Sequence, residues 1–132
     1  MLEMLGLQEL QSIFTTAAKF IWLLGFAMLL DIVTGVAAAW KEGKLYSRNA
    51  WWGYVRKLFV FVLIMLAAII DLLLKLDGVV TYGTIFFYTI NEALSIVENV
   101  TRVGLNVPSV ITDKLHVIQD TEKKEGNKNA DI

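Results

Sequence analysis

Apolar and polar positions are unevenly spread along this chain. Phe20 to Trp40 and Leu58 to Leu76 are long, mostly apolar runs, and Val79 to Val97 is a third, interrupted by Asn91, Glu92 and Ser95. A bilayer core of about 30 Å is crossed by a helix of roughly 20 mostly apolar residues, so the first two runs predict membrane spans. The third has the length, but its polar residues make burial conditional on partners or water. Its apolar side chains favour insertion by roughly 3 to 5 kcal/mol, about what Asn91 and Glu92 consume, so it reads as a span poised near balance.

The segments between the runs carry turn and cap signals. Leu2, Leu5, Leu10, Ile13 and Phe14 alternate with Glu3, Gln8, Glu9, Gln11 and Ser12, a spacing that fits a short helix on the membrane surface or an extension of the first span. Gly43 in "KEGKLYSRN" is a helix stop, and "KLDG" (75–78) is short enough to make the second and third runs an antiparallel hairpin. Gly104 ends the third helix. Pro108 suits the first turn of another, with Val110, Ile111, Leu115 and Ile118 on its apolar side. The polar end "TEKKEGNKNADI" has no core to join and predicts disorder. The expected organisation is an interfacial segment (1–16), a transmembrane region (17–104), an amphipathic C-terminal helix (105–119) and a disordered polar tail (120–132). The fold class is an all-α membrane protein of about three transmembrane helices with flanking amphipathic helices.

Composition sharpens this picture mainly through charge placement. Of the 132 residues, 56% are hydrophobic and the net charge is −1, but Lys41, Lys44, Arg48, Arg56 and Lys57 crowd one segment against a single Glu42. Lys and Arg favour the cytoplasmic side, which predicts that loop inside, the N-terminus outside and, with three spans, the C-terminus inside. Trp40, Tyr46, Trp51, Trp52 and Tyr54 surround the loop and settle at headgroup level. Topology explains the basic cluster better than phosphate contacts do, so no nucleic-acid partner is expected. "VAAAW" resembles a signal-peptide cleavage site. The acidic leading region, the length of the run and Asp31 within it argue instead for an uncleaved span.

Enzymatic constellations are sparse. The chain has no cysteine and one histidine, His116, so neither a thiolate nucleophile nor a Cys-based zinc site is possible. No catalytic residue, metal or cofactor is predicted.

The chemistry lies instead in polar residues inside apolar runs. An aspartate at a helix centre costs about 2.5 to 3.5 kcal/mol, which the ten Leu, Ile, Phe and Val residues from Phe20 to Val36 offset with roughly 3 to 6. Asp31 shares a helix face with Thr34, Gly35 and Ala38, three and four positions apart. Small residues let helices approach and polar ones bond across the contact. That face is therefore a helix–helix contact, between chains or within one, or a wall of something wet. Asp71 follows Ala67 and Ala68 and precedes Lys75 by four residues, a pair that could be simply solvated at the span's end. On the third run Asn91, Ser95, Glu98, Asn99 and Arg102, with Glu92, Thr84 and Tyr88, form one polar stripe, with Glu98 and Arg102 spaced as an i,i+4 pair. Asp31, Asp71 and Glu92 could alternatively form an ion relay.

The ordered set "LLDIVTG" (29–35), "GKLYSR" (43–48), "GYVRKL" (53–58) and "NEALSIVENVTRVGLNVP" (91–108) resembles the bacteriophage holin family, which includes the holin-like proteins of clostridial toxin secretion. The resemblance covers about residues 28 to 116. Asp31, Thr34, Gly35, Ser47, Lys57, Asn91, Glu92, Ser95, Glu98, Asn99 and Pro108 are the matching positions. The family's loop more often has a glycine soon after the serine, whereas "NAWWG" delays it to Gly53. The resemblance implies a non-enzymatic protein that homo-oligomerises in the bacterial inner membrane and opens lesions, with an endolysin or secreted toxin as functional partner. A small ion channel or transporter subunit, or an antiholin-type regulator, is the alternative.

Overall fold

The computed structural model describes residues 6–44 and 48–130, which form four helices: α1 (Leu7–Lys41), α2 (Arg48–Leu74), α3 (Val79–Val103) and α4 (Ser109–Ala130). Among the described residues, α1 and α2 are long and apolar enough to cross a membrane. The 35 residues of α1 extend about 52 Å at 1.5 Å per residue, well beyond a bilayer core.

The same device ends three of these helices. At Gly43 (φ +71°), the Gly43 and Lys44 amides donate to the carbonyls of Trp40 and Ala39; at Gly104 (φ +112°), Gly104 and Leu105 donate to Thr101 and Val100. Both are left-handed caps that satisfy carbonyls the helix leaves over. At the end of α2 the left-handed position is Lys75 (φ 54°), with the Leu76 amide donating to Asp71 O.

Contacts divide the chain into two compact units, Met1–Phe26 with Tyr46–Tyr88 and Ala27–Leu45 with Thr89–Ile132. The first has an apolar core that includes Ile13, Ala17, Leu24, Ile64, Ala67, Ala68 and Ile85, with Asp71 and Thr81 fully buried among them. In the second the buried apolar residues are Met28, Ala38 and Ile90, accompanied by Asp31, Glu92 and Asn99. Most large apolar residues of α1 and α2 face outward, Trp22, Phe26, Phe59 and Leu73 among them, as lipid-facing helices require.

Both ends of the described chain are helical. The helix expected at 105–119 with a disordered tail beyond it is a single helix, Ser109–Ala130. Pro108 keeps the residue before it out of helical geometry, which sets the later start. Glu122, Lys123, Lys124 and Glu125 are good helix formers that extend a helix already nucleated upstream. At the other end α1 is continuous from Leu7, so residues 7–16 are its first turns, while residues 1–5 of the expected interfacial segment lie outside the described residues.

Candidate functional site

Asp31 sits 24 residues into α1 and is 8% exposed. Within its unit it meets the polar stripe of α3. Ser95 Oγ donates to Asp31 Oδ1 at 2.6 Å, and Asn99 Nδ2 donates to the same oxygen at 2.7 Å. Asn99 Nδ2 also lies 3.1 Å from the Asp31 carbonyl oxygen and 3.1 Å from Thr34 Oγ1. Thr34 turns its own hydroxyl back onto Leu30 O at 2.7 Å, which leaves its lone pair facing Asn99. Gly35 lies against the same amide: a Cβ there would stand 3.4 Å from Asn99 Nδ2, in van der Waals contact. Ala38, one turn on, is completely buried.

The contact continues to the helix ends. Arg102 Nε and Nη2 hold both oxygens of Glu42, at 2.9 and 2.7 Å. Lys41 Nζ donates to the Val103 carbonyl at 2.6 Å, a cation at a helix C-terminus where the helix dipole favours it. Asp31 thus pairs with Ser95 and Asn99, and Glu42 with Arg102, so the two segments run parallel. The hydrogen bond from Arg102 holds the Glu42 carboxyl below its ordinary range. Arg102, spaced i,i+4 from Glu98, makes its hydrogen bonds across to α1, where a planar carboxylate matches its fork.

Asp71 belongs to a different arrangement, in the first unit. It is fully buried, accepts from the Val80 and Thr81 amides at 2.9 and 2.8 Å, and from Thr81 Oγ1 at 2.6 Å. The expectation of a solvated carboxylate beside Lys75 is therefore replaced by a helix cap. The reason lies in the turn. Gly78, whose carbonyl takes the Tyr82 amide at 2.8 Å, occupies the N-cap position and has no side chain to satisfy the next amides. It cannot be larger, because φ is +93° and a Cβ would lie 2.7 Å from the Tyr82 ring. Asp71 supplies the missing acceptor from the preceding helix.

The expected residues therefore separate into groups. Asp31, Thr34, Gly35, Ser95 and Asn99 come together, and Arg102 closes the end of the same contact. Glu92 is buried, Asn91 half-buried and Glu98 exposed. Of the basic loop residues Lys41 is engaged at Val103, Lys44 and Arg56 are exposed and Lys57 is half-buried; Ser47 and the side chain of Arg48 lie outside the described residues. Glu42 and Thr81 had not been singled out. Their signals were present: Glu42 is the one acid in a basic loop, and Thr81 stands at the third helical position after an N-cap that cannot cap. Among the described residues no buried side-chain nitrogen or oxygen lacks a hydrogen-bond partner, and no cluster of His, Asp or Glu could hold a metal ion. The arrangement offers hydrogen bonding and charge inside apolar helices.

Residues 9–120 match the model of the bacteriophage holin family. The chain is 50% identical over 113 residues to an uncharacterized protein, YqxH, of Bacillus subtilis (strain 168), covering 86% of this chain and 80% of that one. It is 47% identical over 107 residues to a probable holin of Bacillus phage phi105, covering 80% and 79%. An uncharacterized protein of Clostridium perfringens, CPE0383, is 31% identical over 90 residues, 67% of this chain and 66% of that one. No solved structure matches.

Proposed function

The chain belongs to the bacteriophage holin family and is a holin, and from that premise we propose how it is arranged and how it opens a membrane. In this reading α1, α2 and α3 cross the bacterial cytoplasmic membrane with the N-terminus outside and the C-terminus inside. Copies assemble there, and the lesion releases a cell-wall hydrolase or a toxin. The parallel run of α1 and α3 supports the topology, since it brings the Lys41 loop and the end of α3 to one side.

The observation that carries the mechanism is the Asp31–Ser95–Asn99 cluster, a set of polar groups satisfied inside one chain. Alone, α3 is near balance for insertion. Bonded to Asp31 it gains roughly 0.6 to 2 kcal/mol per interhelical hydrogen bond, enough to hold it beside α1 in lipid. These bonds are weak enough to exchange between chains. When copies become dense, the faces of Asp31, Thr34 and Gly35 and of Asn91, Ser95 and Asn99 part and wall an aqueous opening, where water replaces the lost partners. No covalent chemistry is needed.

Inducible expression of this protein alone in a bacterium, with leakage assayed by cargo size, tests the reading. The expected result is an abrupt release of a folded cytoplasmic reporter after a delay. Leakage confined to small ions would point to a channel subunit. No leakage alone, with a shift in another holin's timing, would point to an antiholin-type regulator.

A further inference from the structure

One face of α2 carries Trp52, Arg56, Phe59, Leu63, Leu66 and Ile70, which fall within about 80° of one another at 100° per residue. The face is open along most of its length: Trp52 and Phe59 are each 61% exposed, Leu66 is 50% exposed, and Arg56 is exposed. Leu63, Leu66 and Ile70 form one wall of an open groove of about 480 Å³, and α3 supplies the other through Gly83 and Phe87. A Cβ at Gly83 would meet nothing within 4 Å, so the groove is open at that point. Arg56 stands seven residues before Leu63, about 10 Å along the helix axis. A cation at the end beside the basic loop is thus followed by aromatic surface and then by an apolar channel.

We propose that this face binds one anionic phospholipid, its phosphate at Arg56 and an acyl chain in the groove. The guanidinium fork matches phosphate oxygens in two places at once. Phe59 and the groove take the hydrocarbon. Charge complementarity selects this occupant over a second copy of the chain. Copies related by an axis along the membrane normal would bring Arg56 beside Arg56 at one depth, where like charges repel. An anionic headgroup places the opposite charge there. The proposal rests on α2 spanning the membrane and not on the opening mechanism.

The test uses the full chain, purified in mild detergent with equal amounts of phosphatidylglycerol and phosphatidylcholine of identical acyl chains, with retained lipid counted by native mass spectrometry. Wild type should retain phosphatidylglycerol about fivefold over phosphatidylcholine, the ratio that about 1 kcal/mol per cation near a membrane surface gives. Arg56→Gln should abolish the preference and Arg56→Lys keep most of it. Lys57→Gln, which removes the same charge from another face, should keep it too. Gly83→Leu should lower retention of both lipids. Equal retention by wild type, or a preference that survives Arg56→Gln, overturns the proposal. So does a Gly83→Leu variant that holds as much lipid as wild type but splits a dimer, which would assign the groove to a second copy.

Discussion

Asn99 reaches Asp31 twice with one amide nitrogen, at 2.7 Å to the carboxylate and 3.1 Å to the backbone carbonyl of the same residue. That double contact fixes both the side chain and the helix behind it, which a bond to the carboxylate alone would not. Asp31→Leu removes the carboxylate, so the Ser95 hydroxyl loses its acceptor and the Asn99 amide keeps only the Asp31 carbonyl and Thr34 Oγ1, while Asp31→Asn keeps an oxygen in place. The expected loss is roughly 1 to 2 kcal/mol for Leu and less for Asn, measured by denaturant titration of helical circular dichroism in micelles. The Leu variant should also crosslink and trigger abnormally. Equal crosslinking and lysis timing in wild type and both variants would remove any role for this face.

The Asp71 cap predicts a second loss. Asp71→Ala leaves the Val80 and Thr81 amides unsatisfied at the start of α3 and should destabilise the α2–α3 hairpin by about 1 to 3 kcal/mol. Gly78→Ala should be damaging for a different reason, the left-handed backbone and the Tyr82 ring against it. Hydrogen exchange at residues 79–82 reads both. Unchanged protection in Asp71→Ala would show that the cap contributes nothing.

The Glu42–Arg102 pair predicts a pH dependence. Glu42 has its folded-state pKa depressed by the hydrogen bond from Arg102. Its contribution is therefore complete above the ordinary carboxylate pKa and is lost as pH falls through the depressed one; Arg102 stays charged throughout. Wild type should exceed Glu42→Gln in stability at neutral pH, and the two should converge in acid. Because both side chains are about one-third exposed, added salt should shrink the difference. A gap that widens as pH falls would contradict the assignment.

Topology can be tested directly because the chain has no cysteine. Single cysteines at Ser12, Ser47 and Asn127, probed in intact cells with an impermeant thiol reagent before lysis, should label at Ser12 only. Labelling at Ser47 but not Ser12 would reverse the orientation.

Much of this was legible in the chain itself. The apolar runs marked three of the four helices, and Gly43 and Gly104 marked where two of them end, because a left-handed cap has a residue signature. The shared face of Asp31, Thr34, Gly35 and Ala38 was readable from helical spacing, as was the stripe through Ser95 and Asn99. What spacing within a helix cannot supply is the partner on another helix. Arg102 had an acid at i−4 and chose Glu42, sixty residues away in sequence; Asp71 had a cation at i+4 and chose amides beyond a turn. The polar tail shows a related limit: composition without a core suggests disorder, while α4 runs on from a helix already nucleated before it.

The central claim is that the polar groups joining α1 to α3 are also those that open the membrane. It is tested most directly by replacing both sides together, Asp31→Leu with Ser95→Leu and Asn99→Leu, because this removes donor and acceptor of the Asp31–Ser95 and Asp31–Asn99 side-chain bonds at once. The measurement is the onset of release of a folded cytoplasmic reporter protein after induction, at matched amounts in the membrane. The account predicts that the triple variant accumulates like wild type but releases the reporter late or never, since the parted faces would then be apolar and could not wall water. Release as prompt as wild type would contradict it.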